Sequence, residues 1–216
     1  MDLENLKKLL PLDRMQEMLD EDDRHINELY AHTGKYITKM DLYLQEKIEV
    51  ARALKLDVTK DRFILDIGTG VGMFPWLCKQ LGHTCVSTYY DNFEFYRKLW
   101  KLLKIKAPTY LEIKANQHWE LGNSKKYDII TAKRTVFDRF PHNWSAYNWI
   151  MFLKEAHGLL KDEGCLFVKT NWSEESDSLM DTHAKRLLEP FLLSEFNSTT
   201  FLITRSEIEN LIGATI

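Results

Sequence analysis

Short apolar runs alternate with helical patterns along most of the chain after residue 61. The runs FILDI, TCVSTYY, TYLEI, YDIITA, GCLFVKTN and STTFLITR have the length and apolar character of strands. Between them, apolar residues recur every three or four positions, which predicts helices at MFPWLCKQL, FEFYRKLWKLLKI, WSAYNWIMFLKEAHGLL and LMDTHAKRLLEPF. Strands that alternate with helices imply a mostly parallel sheet with helices on both faces. The sequence therefore predicts an α/β domain.

The first 56 residues differ from the rest because their pattern is helical almost throughout. Apolar residues recur at helical spacing up to a break near Gly34, and the pattern resumes from Ile37 to Leu54. We interpret residues 1–56 as a helical N-terminal extension and residues 57–216 as the α/β domain. The extension is either a cover packed on the domain or a lid over a ligand site. A lid would bring three side chains to the pocket, those of Tyr36, Lys39 and Tyr43.

Composition narrows the partners that such a domain can have. The chain has 216 residues, a net charge of -3 and no block of lysines or arginines, so an extensive nucleic-acid interface is not expected. No apolar run approaches the ~20 residues that a membrane-spanning helix needs. The three cysteines lie in apolar stretches without metal-binding spacing, which predicts reduced thiols, a cytoplasmic protein and no metal site.

A glycine loop follows the first predicted strand of the domain. The sequence DIGTGVG places Asp66 two residues before Gly68, and two more glycines follow at Gly70 and Gly72. No lysine follows the glycines as a phosphate-binding P-loop requires. In the dinucleotide pattern GxGxxG, the third glycine would fall on Met73, which disfavours a nicotinamide cofactor. The pattern D-x-G-x-G-x-G therefore indicates a different ligand that lies close to the backbone.

The stretch DIGTGVG resembles motif I of the class I S-adenosylmethionine-dependent methyltransferases, and the order of strands and helices after it is similar to theirs as well. The resemblance implies a Rossmann-like doubly wound sheet, mostly parallel with an antiparallel last strand. It also implies S-adenosylmethionine as the cofactor, lying over Gly68, Thr69, Gly70 and Gly72. Asp66 would accept a hydrogen bond from the ammonium group of that ligand.

In this family an acidic residue at the end of the second strand binds both ribose hydroxyls. Counting from Asp66, the matching position is Tyr89, and an acid comes only at Asp91. We expect Asp91 to contact the ribose, because a carboxylate can accept hydrogen bonds from both hydroxyls. The alternative is that Asp91 caps a helix that begins near Phe93.

After the third strand, the family often places a side chain against the adenine amino group. The matching positions are Gln117 and His118, and an amide can both accept and donate at an adenine edge. Trp119 would offer a stacking face. The alternative is an exposed polar turn with one anchored tryptophan.

The segment TAKRTVFDRFPHNW follows the fourth strand, where such enzymes place residues between cofactor and substrate. It has neither the tetrapeptide of the amino-methyltransferases nor a metal-binding carboxylate set. Arg134 could pair with a carboxylate or phosphate, and His142 could act as a base toward a hydroxyl. The alternatives are a solvated cation and an ordinary loop histidine. Most of the aromatic residues that follow, among them Trp144, Trp149 and Phe152, are at helical spacing and are expected in the core.

The resemblance implies transfer of a methyl group by in-line displacement. The expected acceptor is a small molecule, with an anionic group if Arg134 binds it. Two alternatives remain open: methylation of RNA or protein, and a binding module that has the fold without the activity. The oligomeric state is left open by the sequence.

Overall fold

Within the residues that it describes, the computed structural model has nine α-helices, one short 3-10 helix at Glu189–Phe191 and six strands. It covers residues 2–23, 34–90, 93–114, 117–121, 125–133, 144–170, 182–194, 196 and 200–215. The α-helices are Leu3–Lys7 (α1), Leu12–Asp23 (α2), Lys35–Thr38 (α3), Met40–Ala53 (α4), Met73–Gln80 (α5), Glu94–Leu102 (α6), Ala146–Leu159 (α7), Thr182–Leu188 (α8) and Arg205–Thr215 (α9). The strands are Phe63–Ile67 (β1), Thr84–Tyr89 (β2), Thr109–Tyr110 (β3), Tyr127–Lys133 (β4), Leu160–Lys169 (β5) and Thr200–Thr204 (β6).

The strands form one six-stranded sheet in the order β3-β2-β1-β4-β5-β6. β1 runs parallel to β4, with Asp66 opposite Thr131, and β4 runs parallel to β5, with Lys133 opposite Lys169. β6 runs antiparallel to β5, with Phe201 opposite Val168. These pairings confirm the predicted fold class, a mostly parallel sheet with an antiparallel last strand.

The chain divides into two compact units, and the predicted division into residues 1–56 and 57–216 stays a prediction. The first unit consists of Met1–Asp61, Thr69–Cys85 and Asp91–Ala107. The second unit consists of Arg62–Gly68, Val86–Tyr90 and Pro108–Ile216. The N-terminal helices therefore belong to the same compact unit as α5 and α6. A lid function for them stays a prediction.

The core of the first unit is built around α4, which packs against α5. Its residues Leu44 and Ile48 are buried, one helical turn apart on the same face. After α4 ends, Leu56 is also buried, and its carbonyl oxygen lies 2.8 Å from Nε2 of the buried His83. Part of the predicted extension is thus an integral core element of this unit.

The core of the second unit combines the central strands with the aromatic face of α7. A capping box starts α7, in which Ser145 and Asn148 satisfy each other's backbone N–H groups. The rings of Trp149 and Phe152 are buried, and Trp144 packs edge-on against both. The expectation that these aromatic residues belong to the core is confirmed.

Three elements differ from the sequence prediction. The predicted strand TYLEI is reduced to the two residues of β3, although Leu111 N–H still donates to Tyr89 O at 2.8 Å. β5 begins at Leu160, directly after α7, where a helix end was expected. α9 was not predicted, yet its Ile208 is buried in the core of the second unit.

The three cysteines differ in burial. Cys78 is buried, whereas Cys85 and Cys165 are only partly buried, and all three are free thiols. Within the described part of the chain, no helix combines the length and the apolar character needed to cross a bilayer.

Candidate functional site

The glycine loop, residues 68–72, joins β1 to α5 through a backbone that favours glycine. The φ angles of Gly68, Gly70 and Gly72 are 69°, 55° and 85°, all in the left-handed region. Gly68 is exposed, and its N–H donates to Thr88 Oγ1 at 3.2 Å in the second unit. The loop thus has a defined shape that side chains with a Cβ would strain.

Gly70 has space where its side chain would be. A Cβ built at this position would meet no described atom within 4 Å. Its carbonyl oxygen accepts a hydrogen bond of 2.8 Å from the indole Nε1–H of Trp100 on α6. Gly70 is therefore held through its carbonyl oxygen, and no described atom occupies the place of a Cβ.

Gly72, unlike Gly70, has no space for a side chain. A Cβ there would stand 2.6 Å from Cδ1 of Ile105 and 2.9 Å from Cδ1 of Trp100, closer than real contacts allow. Close packing inside the first unit is enough to explain this glycine. Its role in ligand binding stays a prediction.

Asp66 lies on β1 with its side chain buried, and its two oxygens have different surroundings. Oδ1 accepts a 2.7 Å hydrogen bond from Thr131 Oγ1 and forms an ion pair with Nζ of Lys133, both on β4. Lys133 Nζ also lies 3.1 Å from Thr131 Oγ1. Among the described residues, Oδ2 has no hydrogen-bond partner. A buried acceptor without a partner costs about 1–3 kcal/mol, so a ligand donor at Oδ2 would relieve that cost.

Thr69, in the first unit, carries a second buried oxygen of this kind. Its Oγ1 has no hydrogen-bond partner in the described part of the chain. A hydroxyl can donate and accept, so Thr69 can serve a ligand in either role.

Comparisons of the whole chain with known proteins agree on its architecture. No protein-family model matches the chain, and no curated protein sequence matches it either. DesVI from Streptomyces venezuelae superposes with a TM-score of 0.52 at 13% identity, over 70% of this chain and 60% of that one. PH0226 from Pyrococcus horikoshii OT3 gives 0.50 at 15% identity, over 88% and 90%. A methyltransferase from Pyrococcus furiosus gives 0.49 at 15% identity, over 74% and 82%.

At such low identities the likeness is one of fold, and this chain spans about 60% of the length of DesVI. What decides the assignment is the antiparallel β6 at the edge of an otherwise parallel sheet, together with the glycine loop after β1. The chain has a Rossmann-like fold, which it shares with DesVI and PH0226.

Of the two candidates that the sequence resemblance gave for the ribose, the structure describes only one. Tyr89 is the last residue of β2, and its ring packs edge-on against Tyr110 with 5.8 Å between centroids. Asp91 lies outside the described residues. The choice of Asp91 as the ribose ligand therefore stays a prediction.

At the adenine position, the chain has a fixed turn. Nδ1 of His118 pairs with Oε2 of Glu155 on α7 at 2.6 Å, and the same oxygen accepts the N–H of Trp119 at 3.0 Å. The Trp119 ring is buried, 5.0 Å from Phe152, so it is the anchored tryptophan of the alternative interpretation rather than an open stacking face. Gln117 and His118 are exposed. Their contact with adenine stays a prediction.

The predicted catalytic residues Arg134 and His142 both lie outside the described residues, so their roles stay predictions. The residue that the sequence interpretation missed is Lys133, the last residue of β4. The sequence analysis assigned a role to its neighbour Arg134 and none to Lys133. A signal was present, because Thr131 and Lys133 are two residues apart on a strand and so share one face of the sheet.

Proposed function

We propose that this protein is an S-adenosylmethionine-dependent methyltransferase. The observation that carries the proposal is the buried carboxylate of Asp66, whose Oδ2 lacks a partner among the described residues at the carboxyl end of β1. Ligands of open α/β sheets bind at the carboxyl ends of the strands. The fold and the glycine loop support the same cofactor.

The residues present fit this cofactor. Asp66 Oδ2 would accept a hydrogen bond from its ammonium group. The sequence resemblance assigns the glycine loop to the same cofactor, and a Cβ at Gly70 would meet no described atom within 4 Å. Thr69 Oγ1 and the predicted ligands Asp91, Gln117 and His118 would hold its polar groups. When bound, S-adenosylmethionine supplies a methyl group on a sulfonium, which an acceptor atom attacks in line.

The chain's own contribution is to bind and orient the reactants and to exclude water. Holding reacting atoms in line can account for roughly 7–11 kcal/mol of a barrier. We propose a small molecule as the acceptor, with Arg134 pairing its anionic group and His142 available as a base for a hydroxyl nucleophile. Two alternatives have to be separated by an assay. In one the acceptor is RNA or protein, and in the other the protein is a binding module without catalysis.

Isothermal titration calorimetry tests the cofactor. We expect S-adenosylmethionine and S-adenosylhomocysteine to bind, and NAD to give no heat of binding. Binding of NAD without binding of either adenosyl ligand would contradict the proposal. Mass spectrometry of the freshly purified protein should show a retained adenosyl ligand. Formation of S-adenosylhomocysteine on incubation with a metabolite extract would then distinguish the enzyme from an inactive binding module.

A further inference from the structure

We propose that Thr131 is a positioning residue for the cofactor, whose hydroxyl fixes the Asp66 carboxylate so that Oδ2 meets the ammonium group of S-adenosylmethionine. The inference rests on the proposed function and assigns to it a residue of β4, outside the glycine loop. Thr131 itself would touch neither the cofactor nor the acceptor. Its effect on binding would pass entirely through Asp66.

Thr131 stands beside Asp66 because their strands are neighbours in the second unit. β1 and β4 run parallel, and the two residues are opposite each other in the register. Thr131 is fully buried and Asp66 is 1% exposed, so bulk water has little access to the hydrogen bond between them. A β-branched side chain has few allowed χ1 angles, so the backbone of β4 largely sets the position of the hydroxyl.

The direction of that hydrogen bond follows from a second contact of the hydroxyl. Lys133 Nζ donates to Thr131 Oγ1 at 3.1 Å, and an ammonium group can only donate. Thr131 Oγ1 is therefore the acceptor toward Lys133 and directs its own proton to Asp66 Oδ1, which lies 2.7 Å away. This length is typical of a hydroxyl that donates to a charged carboxylate.

The carboxylate of Asp66 has its described partners on one oxygen. Oδ1 accepts from Thr131 and pairs with Lys133, whereas Oδ2 is buried and has no hydrogen-bond partner among the described residues. The torsion that turns an aspartate carboxylate is intrinsically broad, so its contacts decide where each oxygen points. Without the Thr131 hydroxyl, Oδ1 would lose one of its two described partners. The orientation of Oδ2 toward a ligand would then be less well fixed.

The test compares two ligands that differ by one amino group. One is S-adenosylhomocysteine, and the other is its deamino analogue, in which a hydrogen replaces the α-amino group. Calorimetry on the parent protein should give S-adenosylhomocysteine an advantage of about tenfold or more, the value of one charge-assisted hydrogen bond. Thr131→Val keeps the shape of the side chain and removes the hydroxyl. It should reduce the advantage by about threefold or more, while the affinity for the deamino analogue stays near the parent value.

Two further variants are the controls. Thr131→Ser keeps the hydroxyl and should keep most of the advantage of S-adenosylhomocysteine. Thr200→Val removes the hydroxyl of an equally buried threonine on β6, two strands away from β4 in the same sheet, and should leave the advantage at the parent value. Thr131→Ala replaces Thr131→Val if that variant does not fold, since alanine also lacks the hydroxyl.

Three results would overturn the inference and leave the proposed function standing. The first is an equal weakening of both ligands in Thr131→Val, which would mean that Thr131 supports the fold and not the orientation of Asp66. The second is an unchanged advantage in Thr131→Val, or an equal loss of it in Thr131→Ser. The third is equal binding of both ligands by the parent protein. Failure of both ligands to bind the parent protein would overturn the proposed function and this inference together.

Discussion

Gly70 is the residue at which backbone strain and ligand space can be tested together. We expect Gly70→Val to abolish binding of S-adenosylhomocysteine, because the side chain would fill the open space over the loop. The left-handed φ of 55° should also cost about 1–2 kcal/mol of stability in a residue with a Cβ. Calorimetry measures the binding, and thermal unfolding followed by circular dichroism confirms that the variant is folded.

Gly82→Val is the control for strain without ligand contact. Gly82 lies in the turn between α5 and β2, and its φ of 84° is also left-handed. This variant should be destabilised to a similar degree and still bind the ligand. Undiminished affinity in folded Gly70→Val would show that the cofactor does not lie over the loop.

Asp91 and Tyr89 compete for the same role at the ribose. Hydrogen bonds to a charged acceptor contribute ~1.5–3 kcal/mol each. Asp91→Asn should therefore weaken the binding of S-adenosylhomocysteine by about one to three powers of ten. Tyr89→Phe should change the affinity little, because the tyrosine ring already packs against Tyr110. Calorimetry measures the affinity of each variant for S-adenosylhomocysteine and shows which of the two side chains contributes to binding. The opposite order of effects would place the ribose at Tyr89.

At the scale of elements, the contact of α6 with the glycine loop should be sensitive to one methyl group. Gly72→Ala would push a Cβ against Trp100 and Ile105 and would place an alanine at a φ of 85°. Overpacking and left-handed strain together should destabilise the protein by about 2–4 kcal/mol. Gly158→Ala in α7 is the matched change, because its Cβ would meet no described atom within 4 Å.

Gly158→Ala should stabilise the protein by about 0.5–1 kcal/mol, since alanine loses less backbone entropy in a helix. Chemical denaturation of both variants measures the difference. Equal stabilities for Gly72→Ala and the parent would mean that α6 moves away from the loop without cost.

α7 also carries a histidine that links stability to pH. Burial lowers the pKa of His157 below its ordinary value, and the positive charge of Arg205 lowers it further. The unfolded chain therefore takes up this proton first as the pH falls. The stabilising contribution is complete above about pH 6.5 and is lost as the pH falls through the folded-state pKa. His157→Gln should reduce the loss of stability between pH 7 and pH 5, measured by urea unfolding, and parallel curves would contradict this.

The sequence predicted elements whose signal is local and missed those set by tertiary neighbours. β1, the glycine loop and α5 follow from an apolar run, a D-x-G-x-G-x-G pattern and helical spacing. β3 is short because its pairing with β2 covers only Thr88 and Tyr89. The partnership of Asp66 with Lys133 depends on β4 being the neighbour of β1, which the order of elements along the chain does not specify.

At the scale of the whole molecule, the N-terminal helices decide whether a shortened chain folds. A chain that starts at Val58 lacks α4, which packs against α5 and buries Leu44 and Ile48. We expect this chain to lose cooperative thermal unfolding, because the apolar surface of α5 would face water. Circular dichroism measures the transition, and a cooperative melt near that of the parent would show that α5 does not depend on α4. Lys39→Ala tests the predicted lid without removing α4. Lys39 is exposed, so this variant leaves the core intact.

The two edge strands of the sheet influence whether copies of the protein associate at high concentration. β3, at one edge, offers an incoming strand just two residues in the part of the chain that the structure describes. β6, at the other edge, is bridged on its outer side by Leu192 opposite Phe201, and Leu193 N–H donates to Thr200 O at 2.8 Å. Exposed strand edges are templates for edge-to-edge aggregation, and short or covered edges suppress it. Copies of this protein at high concentration should therefore resist joining through their sheets, so any self-association would have to use side-chain surfaces.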